Sequence, residues 1–189
     1  MLGGFGHISK NDIKGSENFL QMEGGPGRGR ALDCGCGIGR ISKNLLVRYF
    51  DKVDLVDQCR QFIDKAADYV SSNRVGELYC CGLQEFKPVL RYDVIWCQWV
   101  LGHLTDDHFI QFMNNCKEGL KENGVIVVKE NIASGDGFDK DDTDSSVTRP
   151  LPMLEALFAK SNLSTVRVVD QSRFPKGLYP VKMIALRPT

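Results

Sequence analysis

Arg30-Ala31-Leu32-Asp33-Cys34-Gly35-Cys36-Gly37-Ile38-Gly39-Arg40 is the stretch that decides the fold. Arg30 to Cys34 is a short β-forming run that ends in glycines, and Ile41 to Phe50 follows with apolar residues Ile41, Leu45, Leu46 and Tyr49 at helical spacing. That order is strand, tight turn, helix. Working outward, Val53 to Val56 reads as a second strand and Cys59 to Val70 as its helix, and Gly76 to Cys81 reads as a third strand. Tyr92 to Trp96 is nearly all apolar, as a central strand covered on both faces must be, and Asp106 to Leu120 is amphipathic. Asn123-Gly124 reads as a turn opening a fifth strand, Val125 to Lys129. Strands alternating with helices predict one α/β domain over residues 1–189: a doubly wound, mostly parallel, seven-stranded sheet with right-handed crossovers. After Asn131 the reading is a loop dense in Gly, Asp and Ser, then a helix near Pro152 to Lys160. Strands Thr165 to Asp170 and Leu178 to Leu186 close the chain hairpin-fashion, which makes the last strand antiparallel.

Composition narrows the partners. Lys plus Arg and Asp plus Glu are 24 each, so no overall field recruits nucleic acid or an anionic membrane. Recognition by charge must be local. Seven cysteines without C-x-x-C pairing read as reduced, buried thiols of an intracellular protein, and no metal-ligand spacing stands out. Met1 to Lys10 has no signal-peptide pattern and no later run is long and apolar enough to span a bilayer. The expectation is a soluble monomer, nuclear and cytoplasmic.

In an open α/β sheet the ligand crevice lies beyond the carboxyl ends of the strands. After the first strand, glycines let the backbone approach a ligand closely, although such a turn is also simply a well-made strand-to-helix connection. The G-x-G-x-G spacing differs from the dinucleotide fingerprint, and Arg40 suits an amino-acid carboxylate. Asp57 ends the second strand, where a carboxylate accepts from ribose hydroxyls or caps the next helix, and the two roles are compatible. Cys81-Gly82-Leu83-Gln84 lies where an adenine would rest, and Gln98 follows the fourth strand. Four strand ends in register point to a nucleoside-bearing cofactor.

Gln98-Trp99-Val100-Leu101-Gly102-His103-Leu104-Thr105 and Asp144-Ser145-Ser146 are more specific than any glycine turn. Together, Met1-Leu2-Gly3-Gly4-Phe5-Gly6-His7-Ile8, Leu32 to Ile41, Cys80 to Gln84, Trp96 to Thr105 and Asp141 to Ser146 resemble the α-N-terminal protein methyltransferases, a class I S-adenosylmethionine-dependent family, over nearly the whole chain. The resemblance implies S-adenosylmethionine as cofactor, and as substrates proteins that begin X-Pro-Lys or X-Pro-Arg, methylated on the α-amine. It implies cofactor contacts at Gly35, Arg40, Asp57, Leu83 and Gln98, with Gln58, Cys59 and Gln84 beside them. Substrate contacts are implied at Leu2, Ile8, Trp99, Asn131, Asp141, Asp144, Ser146 and Tyr179, and a proton-abstracting pair at His103 and Asp144. Gln58 and Cys59 replace the family's usual apolar residue and threonine, and Glu130 stands where aspartate is common. Members usually carry an aromatic-bearing helical segment ahead of Leu2, so residues 1–25 read as a shortened peptide gate.

The chemistry suits these residues. Methyl transfer from a sulfonium needs an aligned, neutral amine, and an α-amine with a pKa of about 7.7 to 8.0 needs only a weak base nearby. His103 alone would read as a loop histidine before the Thr105 helix, and Trp99 alone as core filling; together they suit a proton acceptor and a platform for a proline ring. Asp136, Asp139, Asp141, Asp142 and Asp144 against Lys140 form a negative patch, suited to a cationic third residue or else merely solvated. A calcium loop counted from Asp139 would need Gly where Asp144 stands and Glu where Pro150 stands. The rival readings are a methyltransferase for another amine acceptor and a catalytically impaired adaptor.

Overall fold

A strand covered on both faces needs apolar residues at consecutive positions, and in the computed structural model, which describes residues 6–21 and 26–189, every residue of β4, Tyr92–Gln98, is buried. Around it lie β1, Arg30–Cys34; β2, Lys52–Asp57; β3, Val75–Cys80; β5, Leu120–Asn131; β8, Leu163–Asp170; and β9, Val181–Pro188. The sheet order is β3-β2-β1-β4-β5-β9-β8, and β9 runs antiparallel to both neighbours while the other pairings are parallel. The seven-stranded, mostly parallel sheet with an antiparallel last strand is the one expected. One face packs on α4, Asp106–Glu118, and α5, Leu151–Lys160, through Phe109, Phe112, Leu157 and Phe158; the other packs on α3, Arg60–Val70, through Ile63, Ala66 and Val70. α4 starts where Thr105 Oγ1 accepts from the His108 N–H.

Local departures have physical reasons. The helix after β1 is wound as a π-turn over Ser42–Leu46 before α2, Val47–Tyr49, and its start is tied to the strand by Asp33, which accepts from the Ser42 N–H and hydroxyl. β5 begins at Leu120, not Val125: Leu120 pairs with Tyr92 and Val125 with Val94, so Asn123-Gly124 belongs to an excursion inside the strand. Three cysteines expected to be buried, Cys59, Cys80 and Cys81, are half-buried because they sit at the rim of the strand ends.

Two elements lie outside the sequence expectation. α1, Ser9–Leu20, buries Asp12, Ser16 and Glu17 along with Phe19 and Leu20, so its inward face is largely polar and carries no apolar stripe. The stretch read as a loop after Asn131 contains a hairpin of β6, Asp139–Asp141, and β7, Ser146–Thr148, each too short to show alternation. It docks on a 3-10 turn, Leu101–His103, where a side chain on Gly102 would meet the Val147 carbonyl at 2.7 Å.

Candidate active site

Register brings the strand ends level: Cys34 pairs with Val56 and Cys97, Asp57 with Cys80, and Gln98 with Lys129. Beyond them opens a cavity of about 480 Å³, lined among others by Gly35, Arg40, Asp57, Gln58, Cys59, Leu83, Gln84 and Gln98. All eight residues expected on the cofactor side meet there. Gly35 has φ +66° and lies so close to Val100 that a Cβ would come within 2.4 Å of it, so no other residue fits without displacement. Asp57 holds the turns on both sides, accepting from the Gly37 N–H at 2.9 Å and the Cys59 N–H at 2.8 Å, and a carboxylate's remaining lone pairs are left for a diol. Asp33 lies below; burial raises its carboxyl to about 6, opposed by the bonds from Ser42.

Arg40 and Gln98 do not stand alone in that wall. Arg40 Nη1 donates to Asp12 Oδ2 at 2.8 Å, Gln98 Nε2 donates to Asp12 Oδ1 at 2.9 Å, and Lys129 Nζ lies 2.6 Å from Asp12 Oδ1. Lys129 also donates to Ser16 Oγ and Gln171 Oε1. It is fully buried, and burial lowers its pKa to about 8 despite Asp12.

A second cavity, of about 530 Å³, adjoins the first. Ile8, Trp99, His103, Asn131, Asp141, Asp144, Ser146 and Tyr179 line it, and Trp99 and His103 line both cavities. Trp99 has φ +51°, a conformation that costs a bulky residue of order 1 kcal/mol or more and must be held from outside. The end of β5 holds it: the Trp99 N–H donates to the Lys129 carbonyl, Nε1 to Asn131 Oδ1, and the Val100 and Leu101 N–H groups to Glu130 Oε1. Glu130 reaches the cavity from a deep position, and burial pushes its carboxyl up to about 7 against those two bonds. Asp144 is exposed, and the bonds it accepts from Ser146, with the nearby charge of His103, hold it below the usual carboxylate range. Tyr179 donates to Asp139 and closes the hairpin side.

Leu2 lies outside the described residues. Asp12, Lys129 and Arg149 lie outside the sequence reading. Arg149, nearly buried, donates to the Leu101 and Leu104 carbonyls and to Asp106, fixing the turn that carries His103. Lys129 and Glu130 had a usable signal: two charges directly after four apolar strand residues, at a strand's carboxyl end. Asp12 and Arg149 had none.

The AdoMet dependent proline di-methyltransferase family model matches residues 1–187. The N-terminal Xaa-Pro-Lys N-methyltransferase 1 of Danio rerio is 51% identical over 99% of this chain and 87% of its own length. The alpha N-terminal protein methyltransferase 1 of Drosophila melanogaster is 48% identical over all of this chain and 70% of its own length. A SAM-dependent methyltransferase of Leishmania major has a solved structure that superposes with a TM-score of 0.94, at 38% identity, over 98% of this chain and 75% of that one.

Proposed function

The chain belongs to the AdoMet-dependent proline di-methyltransferase family and is an S-adenosylmethionine-dependent enzyme, and from that premise we propose that it methylates the α-amine of protein N-termini that begin X-Pro-Lys or X-Pro-Arg. The observation that carries the reading is that Trp99 and His103 line both cavities, so the two cavities meet at these side chains and an amine in the acidic one can approach the cofactor there. The residues present fit the cofactor: Asp57 for the ribose diol, Leu83 for adenine, and Arg40 with Gln98 for the amino-acid end. When bound, it supplies an electrophilic methyl group.

The chain's own residues do the rest. Trp99, fixed through Asn131, offers its ring to the proline at the second position. Asp144, ionised at neutral pH, draws in and orients the α-ammonium, and His103 takes its proton. Asp141 on β6 faces the third residue, where Lys and Arg both satisfy a carboxylate. Zero net charge leaves no overall field to recruit nucleic acid or an anionic membrane, and the proposal takes neither as a partner; it carries with it the expectation of a monomer working in nucleus and cytoplasm.

Mass spectrometry after incubation with Ser-Pro-Lys, Ser-Pro-Arg, Ser-Pro-Gln, Ser-Ala-Lys and acetyl-Ser-Pro-Lys peptides tests this. Methylation is expected on the first two, with the acetylated peptide inert. Asp141→Asn should raise KM for Lys and Arg peptides and leave the Gln peptide nearly unchanged. Turnover of the acetylated peptide would refute the α-amine as acceptor, and an equal loss on all three Pro peptides would refute the role of Asp141.

A further inference from the structure

Arg40 and Gln98 come from distant parts of the chain, yet both are oriented by one side chain that belongs to neither the sheet nor its loops. Asp12 of α1 is fully buried, and each of its oxygens is engaged: Oδ2 by Arg40 Nη1, Oδ1 by Gln98 Nε2 and Lys129 Nζ. The Gln98 amide is fixed from both ends, because its oxygen accepts from Trp96 Nε1 at 3.0 Å while its nitrogen donates to Asp12. An amide pinned this way cannot flip, so one N–H and one lone pair have a set direction. A guanidinium has five donors in a rigid fork; Asp12 and the Ser9 hydroxyl take up Nη1 and leave the other donors for a carboxylate.

We propose that Asp12 is a positioning residue for the cofactor's amino-acid end, with Lys129 as the counter-charge that lets a buried carboxylate hold Arg40. Two cations share Asp12, and this decides the sign of its effect. With Lys129 present, Asp12 does not neutralise Arg40 by itself, and the guanidinium keeps attraction for a second anion. α1 therefore completes the cofactor cavity from outside its lining. The inference rests on the assignment of Arg40 and Gln98 to the amino-acid end.

The test compares two ligands and needs no methyl acceptor. S-adenosylhomocysteine carries the amino-acid end; 5′-methylthioadenosine has the same nucleoside and sulfur without it. Calorimetry on Asp12→Asn should show S-adenosylhomocysteine weakened by about tenfold or more, as expected for weakened charge-assisted hydrogen bonds, with methylthioadenosine affinity within about twofold. Asp12→Asn leaves Lys129 as an uncompensated buried cation, so Asp12→Leu with Lys129→Met serves as the folded control: replacing a buried ion pair by apolar groups is often neutral for stability. The same selective loss is expected there, with melting temperature near wild type. Equal loss of both ligands in the double variant, no loss, or tighter binding of S-adenosylhomocysteine would overturn the proposal. Arg40→Ala separates the two levels. If it loses S-adenosylhomocysteine selectively while the Asp12 variants do not, the role of Asp12 fails and the cofactor assignment stands; if Arg40→Ala is also without selective effect, the assignment itself fails.

Discussion

Asp144 and His103 form a pair by sequence, but their surroundings divide the labour between them. The bonds from Ser146 keep Asp144 ionised well below neutral pH, and a carboxylate that holds its charge so firmly is a poor place to store a proton. On the proposed reading it attracts and aims the substrate ammonium instead. His103 stands on a turn fixed by Arg149 and Glu130 through backbone groups, where an imidazole can take the proton. Both single variants should lower kcat by about 10² or more at pH 7 while leaving S-adenosylhomocysteine affinity near wild type. They should part company as pH rises. An α-amine loses its proton unaided between about pH 7 and pH 9, so His103→Ala should recover part of its rate there, whereas Asp144→Asn should not. A pH–rate profile for each decides it, and recovery of Asp144→Asn alone would reverse the assignment. The strand-end rule made Gly35, Asp57, Leu83 and Gln98 legible because each ends a strand or follows one within three residues, and Arg40 because it closes the glycine turn after β1. Asp12 was not, since an Asp in a polar stretch looks like solvated surface until the fold buries it.

α1 shows at the level of the element why the missed parts were missed. Hydrophobic periodicity finds helices that bury apolar faces, but α1 buries apolar side chains only at its end, at Phe19 and Leu20, and is otherwise held through ion pairs and hydrogen bonds, at Asp12 toward the cavity and at Glu17 toward α2. The hairpin β6–β7 was hidden differently: three residues per strand cannot display a period of two, and acidic residues there read as a charge run. Glu17 allows the docking of α1 to be measured by pH. It accepts from Lys14 at 2.8 Å, from Arg48 at 2.9 Å and from the Tyr49 hydroxyl, and these bonds lower its pKa from 4.5 to about 2. A carboxyl whose folded pKa is depressed stabilises fully above its unfolded value and loses that contribution as pH falls toward its folded value. Glu17→Gln should therefore melt about 2 to 8 °C below wild type at pH 7, for a net loss of about one to two kcal/mol in a chain this long. The gap should hold down to about pH 5 and narrow between about 4.5 and 2, because wild type then loses what the variant never had. A gap independent of pH would mean that packing alone fixes α1.

At the scale of the whole molecule, topology was the most legible part, because alternating strands and helices of ordinary length leave few arrangements of a parallel sheet. What the pattern could not convey is how the two cavities are joined. Trp99 and His103 belong to both walls; Ile8, just ahead of α1, lines the acidic cavity, and Asp12, within α1, holds Arg40 and Gln98 of the other. Lys129, Glu130 and Asn131 stand in succession at the end of β5, the first reaching the cofactor side through Asp12 and the other two fixing the Trp99 turn. Ligands that share walls in this way should bind with a coupling free energy, and for binding equilibria the coupling is reciprocal. S-adenosylhomocysteine should tighten a Ser-Pro-Lys peptide by some factor of about 5 or more, and the peptide should tighten S-adenosylhomocysteine by the same factor, each read by calorimetry with the other ligand saturating. Melting supplies an independent measure. A ligand at 100 times its Kd stabilises by about 2.7 kcal/mol, or roughly 5 to 10 °C for a chain of this length. With both present, the shift should exceed the sum of the separate shifts. Trp99→Leu should bring the coupling factor toward 1 more than it weakens S-adenosylhomocysteine alone, because it shrinks a side chain common to both cavities while Asp57 and Gln98 are untouched and Arg40, which loses the Trp99 ring beneath its guanidinium, keeps its ion pair with Asp12. Additive shifts in the wild type, or full coupling retained in Trp99→Leu, would show that the two cavities act independently.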